Sequence, residues 1–489
     1  MNKNIRKIIL SIFFIGSFLS ISAQGFYNEL FEKYDSYKEE SITIRRFTHS
    51  KIMPLIEELK PDSFFEVNKV GTSIKGKSLN LISFGEGEVD VFLWSQMHGD
   101  ESTATMAIFD IMNFFKSTDF QKEKEEMLSN LRIHFLPMLN PDGAELFTRR
   151  NALGVDINRD AVRLQSPESK TLKRVRDSLE ADFGFNLHDQ STYYNANRTS
   201  KPATISYLAP AYNYEKEVND VRENAMKLIG YMNGILQKYV PGQVGRYNDD
   251  FEPRAFGDNI QKWGTSVVLI ESGGYPNDPE KQFIRKLNFV TILSAIRAIA
   301  TKEYEKSSKE EYFKIPENDR KLFDLKLIGV QYELLGNTYT VDLGIDSREV
   351  SAHTESGYYY KAGVSDMGDL STYYGYKEFD ASAYAVVAPK VYPETFSTIN
   401  AVVEKGVSSF LKEGFAYVKV EHLPEDKDAI NIPLHVISDK KNTAVNLYVG
   451  ANPTFFLKKN DSLEYLIING NLVDLKKPEQ DFSNALIYK

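Results

Sequence analysis

The sequence contains no cysteine among its 489 residues. A chain without cysteine forms no disulfide bond, offers no thiol nucleophile and cannot hold a metal ion through sulfur. Any metal ion would therefore have to bind to histidine, aspartate and glutamate side chains, and the chain has only 7 histidines. With 42% hydrophobic residues, a chain of this length can bury a large core without disulfide support.

Basic tracts are also missing from the sequence. The formal net charge is −9, and lysine and arginine do not cluster anywhere along the chain. Because binding to nucleic acid requires a concentrated positive surface, we expect no nucleic-acid partner.

Long hydrophobic runs are scarce, and the one that stands out lies at the N-terminus. Three basic residues within the first seven precede an apolar run from Ile8 to Ile21, and Ser22-Ala23-Gln24 follow it. This order predicts a signal peptide over residues 1–23. The run is shorter than the span of about 20 residues that a transmembrane helix needs, which favours a cleaved signal. The alternative is an uncleaved anchor. We expect a secreted or periplasmic protein without a transmembrane segment after signal cleavage.

The hydrophobic pattern that follows predicts an α/β fold. Two segments with a period of two, residues 65–71 and 78–84, predict an antiparallel pair of strands. Apolar strands then alternate with helices, which implies a mixed, mostly parallel twisted sheet flanked by helices. The further predicted strands are 89–95, 131–139, 181–188 and 265–274, and the predicted helices are 102–115, 167–179, 213–239 and 281–301.

The C-terminal part of the chain differs from the rest in its composition and hydrophobic pattern. Residues 306–318 are charged and poor in bulky aliphatic side chains, which predicts a linker. Residues 319–489 alternate between polar and β-branched or aromatic residues, which predicts a β-rich C-terminal region of one or two domains, with one helix at 398–411. The α/β domain would then occupy residues 24–305.

Three of the predicted strands end at or near residues whose side chains can bind a metal ion or transfer a proton. His98 follows the strand 89–95, His188 ends the strand 181–188, and Glu271 lies near the end of the strand 265–274. Ligands of open α/β sheets bind outside the carboxyl ends of the strands. His98 and Glu101 are three residues apart, which lets an imidazole and a carboxylate reach the same ion. Alone, this spacing also fits an exposed turn histidine beside a solvated acid.

Seven short blocks in one order resemble the zinc metallocarboxypeptidase family, the carboxypeptidase A-like peptidases, in a bacterial-type exported form. The resemblance spans residues 65–299 and implies a carboxypeptidase-like fold that hydrolyses C-terminal peptide bonds. The blocks are residues 65–79, 98–101, 140–143, 149–151, 154–159, 187–188 and 270–271.

The resemblance implies a metal site and a mechanism. It identifies His98, Glu101 and His188 as the ligands of one Zn²⁺ per chain, a set that leaves a fourth position for water. It makes Glu271 the general base that takes a proton from water and returns it to the leaving amine. Arg149 matches the residue that stabilises the developing oxyanion.

The resemblance also implies how the end of a substrate is recognised. Asn158 and Arg159 match the pair that binds the terminal carboxylate, for which a planar guanidinium is well shaped. Tyr247 is the candidate for a tyrosine on a loop that closes over the substrate. Asp142 would orient a ligand histidine. The family motif usually continues Asn-Arg-Asn, whereas this chain has Asp160, an acid that would weaken carboxylate binding unless a cation pairs with it.

Each of these residues has a structural alternative. Arg159 and Glu271 could form a structural ion pair, and Arg149 could be a solvated turn residue. Tyr193, Tyr194 and Tyr207 could line a pocket, although packing is the better prediction for most of these tyrosines. The remaining histidines have no matched role and are predicted to be surface or core residues; they are His49, His134, His353, His422 and His435.

Three functions follow from this reading. The leading prediction is an exported zinc-dependent exopeptidase that acts on a peptide, or a peptide-like molecule, with a free carboxylate. The second is a zinc amide hydrolase that acts on cell-wall peptides, motivated by Asp160 and by the short stretch between Glu101 and His188. The third is a non-catalytic binding protein that retains the fold. The sequence does not indicate the oligomeric state.

Overall fold

The computed structural model describes residues 25–489 except 353–356, 426–427, 439–446, 478–481 and 483. The predicted signal peptide and His353 lie outside the described residues. The chain divides into two compact units. One unit runs up to Asn197 and continues over Lys201–Asp319, and the other contains Arg198–Ser200 and Arg320–Lys489. In the part of the chain that is described, every helix is too short or too polar to cross a lipid bilayer.

The first unit is organised around a mixed eight-stranded sheet, which confirms the α/β prediction. The strands follow the order β1-β2-β4-β3-β5-β9-β7-β8. The pairs β3–β4, β3–β5, β5–β9 and β7–β8 are parallel, whereas β1–β2, β2–β4 and β7–β9 are antiparallel. The strands are β1 (Glu66–Thr72), β2 (Ser78–Phe84), β3 (Val89–Ser95), β4 (Leu131–Leu136), β5 (Phe183–Asp189), β7 (Ile205–Leu208), β8 (Val244–Arg246) and β9 (Ser266–Ser272). A separate antiparallel pair joins β6 (Asn195–Ala196) to β10 (Asn318–Asp319).

Helices account for most of the rest of this unit. They are α1 (residues 25–33), α2 (His49–Leu59), α3 (Thr103–Lys116), α4 (Gln121–Asn130), α5 (Pro141–Leu146), α6 (Pro167–Leu179), α7 (Asp220–Tyr239), α8 (Phe256–Lys262), α9 (Gln282–Ala300) and α10 (Lys309–Lys314). Short 3₁₀ turns lie at Tyr34–Ser36, Ile157–Arg159 and Glu303–Lys306.

Strand β3 shows why the central strands are almost continuously apolar. Successive side chains of a strand point to opposite faces of the sheet. Val91 and Leu93 belong to one hydrophobic cluster, whereas Phe92 and Trp94 belong to another, and all four are fully buried. Both faces of the sheet are therefore covered, and only the strand ends remain available for chemistry.

Two predicted elements end or begin elsewhere than expected. Strand β4 ends at Leu136, because Pro137 has no N–H group for the ladder and Met138 adopts a left-handed conformation. Helix α7 begins at Asp220 rather than near residue 213. The carbonyl groups of Lys216 and Glu217 accept hydrogen bonds from the buried Arg222 guanidinium instead of helical N–H groups.

Residues 306–318 were predicted to form a linker, but part of this segment is a helix, so the prediction is corrected here. Helix α10 lies within it, and its Tyr312 is completely buried in the core of the first unit. The Tyr312 hydroxyl oxygen also accepts a hydrogen bond from the Ala209 N–H at 3.3 Å. One buried aromatic residue thus anchors a segment whose overall composition is that of a loop.

The second unit is β-rich, as predicted. One sheet contains β11 (Leu322–Leu334), β12 (Asn337–Ser351), β13 (Tyr358–Gly368), β14 (Tyr374–Asp380), β15 (Ala385–Val387), β20 (Phe455–Lys459), β21 (Ser462–Ile468) and β22 (Asn471–Asp474). A second sheet contains β16 (Lys390–Phe396), β17 (Phe415–Val420), β18 (Ala429–Ile430), β19 (His435–Ile437) and β23 (Ala485–Tyr488). The single helix predicted at 398–411 is two helices, α11 (Ile399–Lys405) and α12 (Val407–Lys412), because Gly406 between them has a positive φ of 95°.

Candidate active site

The candidate site lies where the order of the parallel strands reverses. Strands β4 and β5 flank β3 on opposite sides, so the connections after β3 diverge and leave a crevice at the carboxyl ends. His98 follows β3, and His188 of β5 is directly paired with Glu271 of β9. The fold therefore brings the three predicted strand-end residues to one edge of the sheet.

His98, Glu101 and His188 converge within this crevice. Glu101 lies between the two imidazoles, with Oε1 2.7 Å from His98 Nδ1 and Oε2 2.6 Å from His188 Nδ1. One donor atom from each residue falls within 4.8 Å of the other two. Two nitrogens and one oxygen at this spacing, on largely buried side chains, form a donor set that suits zinc.

The charges of this cluster stabilise one another. Burial alone would lower the pKa of His98, but Glu101 and Asp156 raise it to about 9. Burial opposes ionisation of Glu101, yet the two histidines hold its pKa below the ordinary value. The surroundings of Glu101 therefore favour its ionised form. A divalent cation bound at the same place would favour that form for the same reason.

The loop between β3 and α3 reaches this position through a close backbone contact. A Cβ atom on Gly99 would lie 2.1 Å from the Gly143 carbonyl carbon, so only glycine fits there. The side chain of Asn140 caps α5 by accepting a hydrogen bond from the Gly143 N–H at 2.9 Å. The Asn140-Pro-Asp-Gly turn thus supports the loop that carries His98 and Glu101.

Asp156 is the acid that orients His98, and Asp142 is not. His98 Nε2 lies 3.1 Å from Asp156 Oδ1, and Arg149 Nε donates to Asp156 Oδ2 at 3.0 Å. Asp142 instead accepts hydrogen bonds from the Ser73 hydroxyl and the Lys75 N–H, both at 2.9 Å. The sequence prediction for Asp142 was therefore wrong, because its turn directs the carboxylate to the β1–β2 hairpin.

The hydrogen bond to Asp156 also holds the Arg149 side chain against the cluster. Its Nη1 lies 3.3 Å from Glu101 Oε1 and 3.1 Å from His98 Nδ1. The side chain is 41% exposed, so its guanidinium is both held by Asp156 and open to solvent. Arg149 is thus part of the site rather than an isolated turn residue.

Replacing Asp156 with asparagine is expected to lower zinc affinity about 10- to 100-fold, because the partner of a ligand histidine fixes its orientation and basicity. Competition with a chromophoric chelator measures this affinity. Asp142→Asn is the matched control and should lower thermal stability while leaving zinc affinity unchanged. Equal losses of affinity in both variants would contradict the assignment of Asp156.

Glu271 lies next to the metal-ligand candidates His98, Glu101 and His188. Among the described residues, no hydrogen bond joins its side chain to theirs. It is partly buried, and burial together with the charge of Glu101 raises its pKa well above the ordinary value. The buried ion pair between Lys281 and Asp189, 3.1 Å apart, lies close enough to influence the same carboxyl group. A carboxylate with a raised pKa is a stronger base than an ordinary glutamate, which favours proton transfer to it.

Asn158 and Arg159 lie in the 3₁₀ turn that Asp156 caps. Asn158 Oδ1 accepts a hydrogen bond from the Phe256 N–H at 2.9 Å. Arg159 is not paired with Glu271, which removes that structural alternative; its Nε lies 3.3 Å from Glu252 Oε2, and 38% of its side chain is exposed. The guanidinium therefore remains partly accessible to solvent.

Asp160 does not act on Arg159 in the way that its sequence position suggests. Its carboxylate accepts hydrogen bonds from the Gln165 N–H at 2.8 Å, the Ser166 N–H at 2.9 Å and the Ser166 hydroxyl at 3.1 Å. The side chain is 5% exposed. Asp160 therefore fixes the entry to α6, and the acid that affects Arg159 is Glu252, which the sequence analysis did not single out.

Tyr247 lies close to the same crevice. Burial raises the pKa of its phenol, and the charges of Glu271 and Glu101 contribute to the rise, which places the side chain within electrostatic reach of both acids. Its ring is 6.0 Å from that of Tyr194. By contrast, Tyr207 is completely buried in the core, in agreement with the packing prediction.

The other described histidines lie outside the site. His134 contacts Ser83 and Asp90 within the sheet, and His49 contacts Ser78. His435 is a core residue of the second unit, where it bonds to Thr454 and the Leu486 N–H. His422 is exposed. None of these four competes with His98 and His188 as a ligand for the same ion.

Comparison with known proteins identifies the same region. Residues 51–240 match the model of the zinc carboxypeptidase family. This range includes His98, Glu101 and His188 but ends before Tyr247 and Glu271, so those two residues lie outside the family match.

Several curated relatives align with the same part of the chain. An uncharacterized protein of Zymomonas mobilis is 27% identical over 139 residues, which cover 27% of this chain and 36% of that protein. Carboxypeptidase SOL1 of Arabidopsis thaliana is 28% identical over 175 residues, covering 29% and 35%. The human carboxypeptidase N catalytic chain is 28% identical over 116 residues, covering 19% and 25%. The chain thus spans about a third or less of the length of these relatives.

Solved structures also align with part of this chain. A metallo-carboxypeptidase from Burkholderia cenocepacia superposes with a TM-score of 0.42 and 14% identity, over 53% of this chain and 70% of that one. Thrombin activatable fibrinolysis inhibitor gives a TM-score of 0.42 and 14% identity, over 57% and 80%. The family match is the stronger finding, and it shows that residues 51–240 of this chain are similar to the zinc carboxypeptidase family.

Proposed function

We propose that the protein is a zinc-dependent exopeptidase that removes residues from the C-terminal ends of peptides. The observation that supports this most strongly is the convergence of His98, Glu101 and His188 next to Glu271. A zinc ion held by the three donors would supply a Lewis acid that polarises a carbonyl group and lowers the pKa of water. One ion per chain matches the single donor set found among the described residues.

Glu271 would act as the general base. Its position beside the donor set allows it to take a proton from the attacking water molecule. The same carboxyl group would then give the proton to the nitrogen of the leaving amine. A pKa raised by burial suits the first step, because it makes the carboxylate a stronger base than an ordinary glutamate.

Arg149 would stabilise the negative charge that develops on the carbonyl oxygen. Its guanidinium is oriented by Asp156 before the substrate binds. A donor that is already oriented costs little reorganisation when charge develops, which is why such groups contribute strongly to catalysis. Its 41% exposed side chain leaves donor groups open to the substrate.

Arg159 would recognise the end of the chain. A guanidinium binds a carboxylate through two parallel hydrogen bonds, and this geometry distinguishes a free C-terminus from an internal peptide bond. Asn158 lies next to it in the same turn, and Tyr247 lies on the loop that reaches the acids of the crevice. We propose all three as substrate-binding residues.

The experiment that tests this function compares one peptide in free-acid and amidated forms. The purified protein should release single residues from the free end, should lose activity with a chelator and should regain it with zinc. Arg159→Gln should raise KM for the free acid, because the main contact with the terminal carboxylate is removed. Cleavage at internal bonds, or equal rates on both forms of the peptide, would contradict the proposal.

Cell-wall fragments provide the comparison for the second candidate, a zinc amide hydrolase. That candidate was partly motivated by Asp160, and the bonds that Asp160 makes to Gln165 and Ser166 remove this support. We therefore expect free peptides to be hydrolysed and muropeptides to be left intact. Export remains a proposal that depends on the sequence of residues 1–23.

A further inference from the structure

Arg159 already has an acid of the same chain beside it. Glu252 Oε2 lies 3.3 Å from Arg159 Nε. Arg159 is 38% exposed and Glu252 is 31% exposed, so a carboxylate in solution can reach both groups. A carboxylate of the protein therefore shares the guanidinium that the substrate would need.

Glu252 is held firmly in this position. Arg254 donates from Nε to Oε1 and from Nη2 to Oε2, both at 3.1 Å, in a bidentate pair. The Arg254 N–H also donates to Oε1 at 3.1 Å, and the Glu252 N–H donates to Asp258 Oδ1 at 3.0 Å. The bonds from Arg254 hold the pKa of Glu252 below its ordinary value, so the acid is ionised at neutral pH.

The loop that carries Glu252 is attached to the segment that carries Arg159. The Phe256 N–H donates to Asn158 Oδ1 at 2.9 Å, and the Ala161 N–H donates to the Arg254 carbonyl at 3.1 Å. These bonds join residues on either side of Arg159 to the segment that directly follows Glu252. The separation of the two charges is thus set by the same short stretch of backbone.

We infer that Glu252 is an internal competitor for the terminal carboxylate of the substrate at Arg159, and that it reduces the discrimination between free and amidated chain ends. This inference depends on the proposed function. Its physical basis is electrostatic: the ionised acid offsets part of the guanidinium charge, and an incoming carboxylate meets it as a like charge. Glu252 is in this sense a specificity-determining residue and not a catalytic one.

Replacing Glu252 with glutamine tests this role, because the amide keeps the size of the side chain and removes its charge. The KM for a peptide with a free C-terminus should fall about two- to tenfold, as expected for one nearby charge at a partly exposed site. The kcat value should stay within about twofold, since Glu252 does not touch the reacting atoms. Glu252→Ala should shift KM in the same direction.

Asp250→Asn is the matched control. Asp250 lies on the same loop, carries the same charge and pairs with Lys216 instead of Arg159. Its replacement should leave KM unchanged. An unchanged or higher KM in both Glu252 variants would overturn the inference, because Glu252 would then be irrelevant or would position Arg159 for the substrate.

A binding measurement separates this inference from the proposed function. Calorimetry with 3-phenylpropanoate and with its amide reports carboxylate recognition without requiring hydrolysis. Glu252→Gln should tighten binding of the carboxylate about two- to tenfold, as expected for one nearby charge, and leave the amide unchanged. If the wild-type protein cleaves no peptide, the proposed function fails, yet calorimetry still decides the role of Glu252: equal affinities in variant and wild type would overturn it.

Discussion

Replacing Glu271 with glutamine is expected to reduce peptide hydrolysis about 10²- to 10⁴-fold, the usual contribution of a positioned general base. The amide has nearly the same shape as the carboxyl group but cannot take a proton from water. Because Glu271 is not one of the three converging donors, zinc should remain bound at the wild-type stoichiometry. Steady-state kinetics and metal analysis of the same preparation measure both results.

Glu215→Gln is the control for this prediction. Glu215 is exposed in the same unit, so its replacement removes one acid without affecting the crevice. We expect full activity in this variant. Full activity of Glu271→Gln on every substrate that the wild type hydrolyses would show that another group is the base.

Replacing His188 with alanine is expected to have the other large effect, a loss of zinc affinity greater than about 100-fold. The loss of an outer partner of a ligand already costs about 10- to 100-fold, and removal of a ligand should cost more. Activity should fall in parallel, because the remaining histidine and glutamate leave the donor set incomplete. Titration against a chelator of known affinity measures the first effect.

His422 provides the matched control for His188. It is an exposed histidine outside the donor cluster, and His422→Ala should retain both zinc and activity. Thermal unfolding of both variants shows whether the fold survives. If His188→Ala folds and binds zinc as tightly as the wild type, the donor set has been wrongly assigned.

The sequence predicted that His98, His188 and Glu271 lie at one edge of the sheet, because the prediction used a rule about strand ends. His98, His188 and Glu271 each follow or end a buried apolar strand, and parallel strands bring such residues to one edge. This rule needs only the pattern of apolar residues. It does not need the identity of any tertiary contact.

The orienting acid and the acid beside Arg159 could not be predicted in the same way. Asp142 and Asp156 both lie in turns near a matched block, and only the tertiary contacts show that Asp156 reaches His98 while Asp142 reaches Ser73. Glu252 lies almost a hundred residues from Arg159 in the chain, yet it contacts that side chain. Side-chain directions of this kind depend on turn geometry that composition and spacing do not encode.

The segment before the family match also escaped the sequence analysis. The sequence analysis made no prediction for it, yet Tyr34 and the Glu39 N–H both donate to the buried Asp110 carboxylate. Arg285 is completely buried, pairs with Asp110 and donates to the Ile42 carbonyl. A buried charge needs partners to offset its desolvation, and these partners tie residues 34–42 to α3 and α9.

The most direct test of the account is an anomalous diffraction map of the zinc-loaded protein, recorded at the zinc absorption edge. The account predicts one strong peak in the first unit, bound by His98, Glu101 and His188 and adjacent to Glu271. A zinc-loaded crystal with its peak elsewhere, or with these three side chains pointing away from the metal, would contradict the central claim.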